Sequence, residues 1–249
     1  MKKSIFHHKN KHLFIIGAQR CGTTSILNYL KKYKKIKVTK FEKPEPKYFT
    51  KKNLSYDEYL KKYFGNKKKY NQILVEKSTS YIEIKKSAQN IKKIIKSPKI
   101  LIMLRNPAER CVSNYLLSKK NNFENFKFLK ALSSEKKRLY DKKLVSVSPF
   151  KYYERGLYLK YLSYWFKIFK KSYIKILILE KISKDPNKEL QFLCDFLDIK
   201  FNPKIKFKKM NHSKKHYLHR YIKSLSKLYL ESNKRLSKKY NLDLSSWTK

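Results

Sequence analysis

Disulfide chemistry and long apolar runs are missing from this chain. Its three cysteines, Cys21, Cys111 and Cys194, are odd in number, far apart and not at metal-ligand spacing. That argues against a disulfide framework or a cysteine-based zinc site, and for free thiols in a reducing compartment. No apolar run approaches the length of a membrane span. The first, Leu13 to Ile16 behind a basic start, is also too short for a signal-peptide core. The expectation is a soluble cytoplasmic protein.

Arginine is scarce as well. It supplies seven of the 63 basic residues, Arg20, Arg105, Arg110, Arg138, Arg155, Arg220 and Arg235, while lysines run along the whole chain. The formal net charge of +45 invites a nucleic-acid reading. Dedicated phosphate readers use arginine, whose planar fork makes bidentate contacts. There is no arginine-rich stripe, no aromatic RNA-binding signature and no zinc spacing. A general lysine bias explains the charge better than a specific nucleic-acid partner does. The charge still draws anionic ligands in, and it permits an electrostatic contact with a membrane surface.

What is present suits a folded enzyme. A hydrophobic fraction of 41% and 15% aromatic residues supply enough apolar surface to offset chain entropy. The 249 residues fit one α/β domain without internal repeats. Residues 1–11 read as a basic N-terminal tail and 121–150 as a polar, irregular insertion. Short apolar runs at Leu13–Ile16, Gln72–Glu76, Ile100–Leu104 and Ile174–Leu179 predict buried strands. Helical patterns cover 23–33, 55–64, 84–96, 107–119, 156–170, 186–198 and 218–240, with Ser55 and Glu58 as a capping box. Strands alternating with helices predict a parallel sheet covered on both faces.

Strand one runs into Gly17-Ala18-Gln19-Arg20-Cys21-Gly22-Thr23-Thr24 and then a helix. This has the spacing of a phosphate loop. Glycines let the backbone turn around an anion, and a helix N-terminus favours negative charge. Thr23 stands where a nucleotide triphosphatase needs lysine, and the strand Ile100–Leu104 ends in Arg105 rather than a metal-binding carboxylate. The loop therefore reads as a cradle for a nucleotide handled without magnesium.

The second motif is Arg105-Asn106-Pro107-Ala108-Glu109-Arg110-Cys111-Val112-Ser113-Asn114-Tyr115. Arg105 ends its strand at the edge where open α/β sheets bind ligands. Ser113 follows two helical turns later, so the two form a donor pair for a phosphate. Glu109 reads as a member of a surface ion pair.

Together the two motifs resemble the PAPS-dependent sulfotransferase family, whose sulfonate donor is 3′-phosphoadenosine 5′-phosphosulfate (PAPS). The first is similar to its 5′-phosphosulfate loop and the second to its 3′-phosphate motif, R-[DN]-P-x-x-R-x-x-S-x-Y. Val75-Glu76-Lys77-Ser78 is similar to the family's E-K-[ST] step. Glu45-Pro46-Lys47-Tyr48-Phe49 resembles the E-x-x-[FY]-F segment of its glycan-sulfating, heparan-sulfate-type branch. Gly156-Leu157-Tyr158, Glu180, Asp185-Pro186, Phe196-Leu197 and the tail from Asn233 to Trp247 extend the likeness over nearly the whole chain.

The resemblance implies a P-loop-NTPase-like three-layer α/β fold with a central parallel β-sheet flanked by helices, and chemistry without metal. It implies that Gly17, Ala18, Gln19, Arg20, Cys21, Gly22, Thr23 and Thr24 cradle the sulfonate end of PAPS. Arg105 and Ser113, joined by Lys214 and Lys215 in a late loop, would hold the 3′-phosphate. Glu45 falls where the branch carries its general base, with Lys77 near the reaction centre. Arg20, Lys47 and Lys77 would steady the charge on the departing oxygen. The product would be adenosine 3′,5′-bisphosphate, and the acceptor a carbohydrate or glycolipid hydroxyl or amine. The family's proline after E-K-[ST] is Thr79 here, which leaves the path of that loop open. Histidines are the alternative bases: His7, His8 and His12 precede the first strand, and His212, His216 and His219 lie in the late loop. A P-loop kinase or NTPase, a basic nucleic-acid-binding protein and a nucleotide-binding sulfotransferase relic are the competing readings. Tyrosines near 152–164 could stack on sugar rings or pack the helix.

Overall fold

The computed structural model describes residues 10–42, 44–65, 71–138, 149–208 and 217–247. The elements run β1 (Lys11–Gly17), α1 (Thr23–Leu30), β2 (Ile36–Val38), α2 (Tyr56–Phe64), β3 (Ile73–Lys77) and α3 (Lys85–Ile94). They continue with β4 (Lys99–Leu104), α4 (Pro107–Lys120), α5 (Phe128–Ser133), α6 (Glu135–Arg138) and α7 (Tyr158–Ile168). Then come β5 (Ile174–Ile178), α8 (Leu179–Lys184), α9 (Pro186–Leu197) and α10 (Ile222–Tyr240).

The strands form one parallel sheet in the order β2-β3-β1-β4-β5. β1, β3 and β4 are buried along almost their whole length, as near-continuous apolar runs require when helices cover both faces. β1 lies at the centre, so the C-terminal ends of β3, β1 and β4 stand side by side. That edge is where an open α/β sheet offers a crevice to ligands. Helix starts follow local chemistry. Asn106 caps α4 by accepting from the Ala108 and Glu109 amides, with Pro107 in the first turn. Ser55 caps α2 through the Glu58 amide, but the reciprocal arm of the box passes through Tyr48. The Ser55 N–H donates to the Tyr48 hydroxyl, which lies 3.2 Å from the Glu58 carboxylate. This pins Tyr48 to the head of α2.

Several expectations need correction. β2 was not expected: it is three residues long at the sheet edge, with Lys37 between Ile36 and Val38. Residues 121–127 are irregular as expected, but 128–138 hold α5 and α6, and Phe128 and Ala131 are buried with Phe150, Tyr152 and α10 residues in a second apolar cluster. Its charged residues misled the composition argument. Glu124 is buried, accepts from the Tyr152 hydroxyl at 2.7 Å and pairs with Arg138 at 2.8 Å. His12 lies inside β1 rather than before it, buried and 2.9 Å from the Tyr56 hydroxyl. Tyr152, Tyr158 and Tyr161 are buried in packing and present no surface for sugars. His7, His8, His212 and His216 lie outside the described residues.

Candidate functional site

The loop after β1 turns on two glycines. A Cβ on Gly17 would sit 2.8 Å from both the Ile82 side chain and the Thr79 carbonyl, so glycine lets the loop press against the segment after β3. Gly22 has φ +82° and opens α1. No side chain caps α1 and no acid stands in its first turn. Its positive end faces the crevice uncompensated, as an anion site requires. Thr23 is buried and Thr24 half-buried in that first turn. The Ala18 N–H donates to the Met103 carbonyl at 2.8 Å, fastening the loop to β4. Burial pushes the Cys21 thiol up to about 11, so it is not a thiolate at neutral pH.

Among the described residues, six that are not glycine adopt positive φ. Four are Asn or Asp, which tolerate that region. The other two are Arg20 (φ 68°) and Lys47 (φ 47°), both sequence-predicted site residues. Strained backbone of this kind concentrates where geometry serves a ligand.

Arg20 reaches across to α4, its Nε donating to Ser113 Oγ at 3.0 Å. The first motif's arginine and the second motif's serine are thus in contact. Burial, then the neighbouring Arg105 and Arg110, hold the Arg20 guanidinium below its ordinary value. Arg110 is fully buried and donates to the Tyr152 carbonyl, while its Nε and Nη1 have no hydrogen-bond partner among the described residues. Arg105 after β4 and Arg110 in α4 thus both act on Arg20 after β1. Arg105 is paired with Glu109, four residues on. Its main chain is fixed separately: the Tyr158 hydroxyl donates to its carbonyl at 2.8 Å, and the Asn106 N–H donates to Glu180 at 2.9 Å. Trp247 donates to the other Glu180 oxygen at 3.0 Å, which explains why the tail and the Glu180 step carry part of the sequence likeness.

On the other side of the loop lies Glu45, its side chain 18% exposed. Lys77 Nζ donates to Oε1 at 2.6 Å, and the Thr79 N–H to Oε2 at 2.8 Å. The Thr79 hydroxyl reaches both oxygens, at 3.1 and 2.9 Å. Thr79, the departure from the family's proline, supplies the N–H that a proline lacks. Behind it sits Glu76, fully buried in β3. Its carboxylate accepts from Ser78 Oγ at 2.7 Å and the Tyr81 hydroxyl at 2.6 Å. Those hydroxyls in turn accept from the Lys47 and Phe49 amides, each at 3.0 Å. Glu76 thereby anchors the segment that carries Glu45. Burial raises its carboxyl to about 7.

The buried Arg155 joins the two sides. It donates to Gln19 Oε1 at 2.6 Å on the loop, to Asn114 on α4, and to Glu83 beyond the Thr79 segment. Arg155 and Glu83 carry no motif signal of their own, and Glu76 has one only as the acid of the E-K-[ST] step. The hydroxyl-rich run Ser78-Thr79-Ser80-Tyr81 after Lys77 is the sequence feature that points toward Glu76. Of the sequence-predicted residues, the structure brings together Arg20 with Ser113 and Glu45 with Lys77. Lys47 joins the second group through its main chain. Lys214 and Lys215 lie outside the described residues.

Comparison with known proteins gives a consistent result. A family model described as a sulfotransferase domain matches residues 10–248. The chain is 27% identical over 190 residues to the human heparan sulfate glucosamine 3-O-sulfotransferase 3B1, covering 75% of this chain and 45% of that protein. It is 26% identical over 191 residues to the mouse heparan sulfate glucosamine 3-O-sulfotransferase 6, covering 75% and 52%. The chain thus spans about half the length of the curated relatives it matches. Among solved structures, a sulfotransferase from Alicyclobacillus acidocaldarius superposes with a TM-score of 0.77 at 23% identity, over 96% of this chain and 99% of that one. A mouse sulfotransferase, SULT7A1 complexed with PAP, gives a TM-score of 0.53 at 15% identity, over 83% and 68%. These structures share the three-layer fold with its central parallel sheet.

Proposed function

Because this chain belongs to the sulfotransferase domain family, we propose that it transfers a sulfonate group from PAPS to a hydroxyl or amine of a carbohydrate or glycolipid acceptor. The observation that carries this reading is the pairing of Glu45 with Lys77 beside an uncapped helix start and a cluster of three arginines. The likeness to heparan sulfate glucosamine 3-O-sulfotransferases supports a carbohydrate acceptor. A cytoplasmic setting belongs to the same reading and rests on the buried free cysteines. No helix among the described residues is long and apolar enough to cross a membrane.

The residues present fit PAPS. Gly17 to Thr24, Arg20 among them, form the cradle for its sulfonate end, and Arg105 and Ser113 the seat for its 3′-phosphate. Lys214 and Lys215 are proposed to join that seat. When bound, PAPS supplies a sulfonate on a good leaving group. The chain's own part is proton transfer and charge. Glu45 takes the acceptor's proton as the oxygen or nitrogen attacks sulfur in line. An acceptor that reaches Glu45 must take over a carboxylate lone pair now held by Thr79 or Lys77. Lys77, released in part from Glu45 as that carboxylate is protonated, then faces the departing oxygen together with Lys47 and Arg20.

Thermal shift tests the nucleotide half directly. Adenosine 3′,5′-bisphosphate without metal is expected to raise the melting temperature well above ADP at equal concentration, because ligand binds the folded state alone. A response to ATP with magnesium and none to the bisphosphate would replace this reading with a P-loop kinase.

A further inference from the structure

Arg105 is the guanidinium assigned above to the 3′-phosphate, yet it already has an anion. Its Nε and Nη2 both donate to one oxygen, Glu109 Oε2, at 3.1 and 2.6 Å. The Arg105 side chain is 14% exposed and that of Glu109 39%, so the arginine lies inward and the carboxylate at the rim. Nothing else requires the contact. The Arg105 main chain is held by Tyr158, and that of Asn106 by Glu180. The head of α4 is capped by Asn106. An acid in the first turn gains from the helix dipole, which explains a carboxylate at position 109 but not its grip on a guanidinium.

The local charge balance gives the contact a purpose. Arg105 and Arg110 help to hold the Arg20 guanidinium below its ordinary value, and neither Arg20 nor Arg110 makes an ion pair with a carboxylate among the described residues. Glu109 is the carboxylate that meets Arg105. Its side chain is exposed enough to swing into water, whereas Arg105 is fixed at its base. A phosphate arriving on the Nε–Nη2 edge of Arg105 meets the same two donors that Glu109 holds.

We propose that Glu109 is a built-in competitor for the anion that Arg105 binds. It yields to the 3′-phosphate on binding, and its return to Arg105 hastens departure of the bisphosphate product. This rests on the assignment of Arg105 to the 3′-phosphate. Affinity differences of this kind fall mainly on the dissociation rate, which is where the competitor acts.

Calorimetric titration of the full chain and of Glu109→Gln with adenosine 3′,5′-bisphosphate and with AMP, two ligands that differ by the 3′-phosphate, tests it. Glu109→Gln is expected to bind the bisphosphate about two- to fivefold more tightly, the range for removing a partly exposed competing ion pair. Stopped-flow dissociation is expected to slow by the same factor. AMP affinity stays unchanged, which also shows the variant is folded. Unchanged bisphosphate affinity overturns the proposal. So does weaker binding, which would make Glu109 an orienting partner of Arg105, and so does equal tightening of AMP, which would mean a general charge effect. If the wild-type chain itself fails to bind the bisphosphate, the assignment of the nucleotide site fails and takes the competitor with it. The wild-type titration separates that outcome from the others.

Discussion

The two ends of the site treat charge in opposite ways. At the Glu45 end, both oxygens of Glu45 have donors and the cation is paired: Lys77 and Thr79 surround Glu45, while Ser78 and Tyr81 hold one oxygen of Glu76. At the arginine end, Arg105 pairs with the rim carboxylate Glu109, while Arg20 and Arg110 pair with no carboxylate and two nitrogens of Arg110 have no hydrogen-bond partner among the described residues. At the first end the proposed base is satisfied without a ligand. The second is complete only with an anion. In a chain carrying +45, acids are scarce and their placement is informative. They stand where proton transfer is proposed and are sparse where an anion is proposed to dock.

The sharpest way to break the contrast is Glu45→Gln. Loss of a general base is expected to lower the transfer rate about a thousandfold. Bisphosphate affinity by calorimetry should stay as in the wild type, because Glu45 does not serve the arginine end. Turnover near normal would remove Glu45 from the role of base.

A smaller effect is expected from Glu76→Gln, which weakens an anchor rather than the base. Turnover should fall about tenfold with little change in acceptor KM, the pattern for an interaction made chiefly in the transition state. Hydrogen exchange at the Lys47 and Phe49 amides should accelerate, while the β1 and β4 amides stay protected. Unchanged exchange at those two amides would show that Glu76 does not position the Glu45 segment.

The smallest effect concerns pH. Burial raises the Glu76 carboxyl from 4.5 to about 7. Between those values the folded state holds a proton that the unfolded state releases, so this group's contribution to stability declines as pH rises from 4.5 to 7. Urea titrations of the wild type and Glu76→Gln should show the variant gaining relative stability across that window and no further change above it. A constant difference would place the ordinary carboxylate value on Glu76.

The strands legible in the sequence were those whose burial writes an unbroken apolar run. β1, β3, β4 and β5 fall within a residue or two of expectation, and both motifs fall on strand ends as expected. β2 escaped because three edge residues with a central lysine make no pattern. The helices within residues 128–138 escaped because the buried Glu124 and the half-buried Arg138 pair only after folding. In the site, the proposed roles followed motif spacing, but the counter-charges did not. Glu109 read as a surface ion pair, and its partner turned out to be Arg105. Thr79 read as a departure from a pattern. Its two donors to Glu45 depend on a contact between residues 34 apart in sequence, which no local rule encodes.

Arg155 adds an order of assembly. Its contacts reach back 136 residues to Gln19, 72 to Glu83 and 41 to Asn114. During synthesis the loop after β1 and the segment after β3 emerge long before the side chain that ties them, and contacts of such long range form late. A nascent or truncated chain ending before residue 155 can pair its central strands yet lacks the tie between its two ends. Strands β1 to β4 thus emerge before the residue that ties the site, and β5 after it.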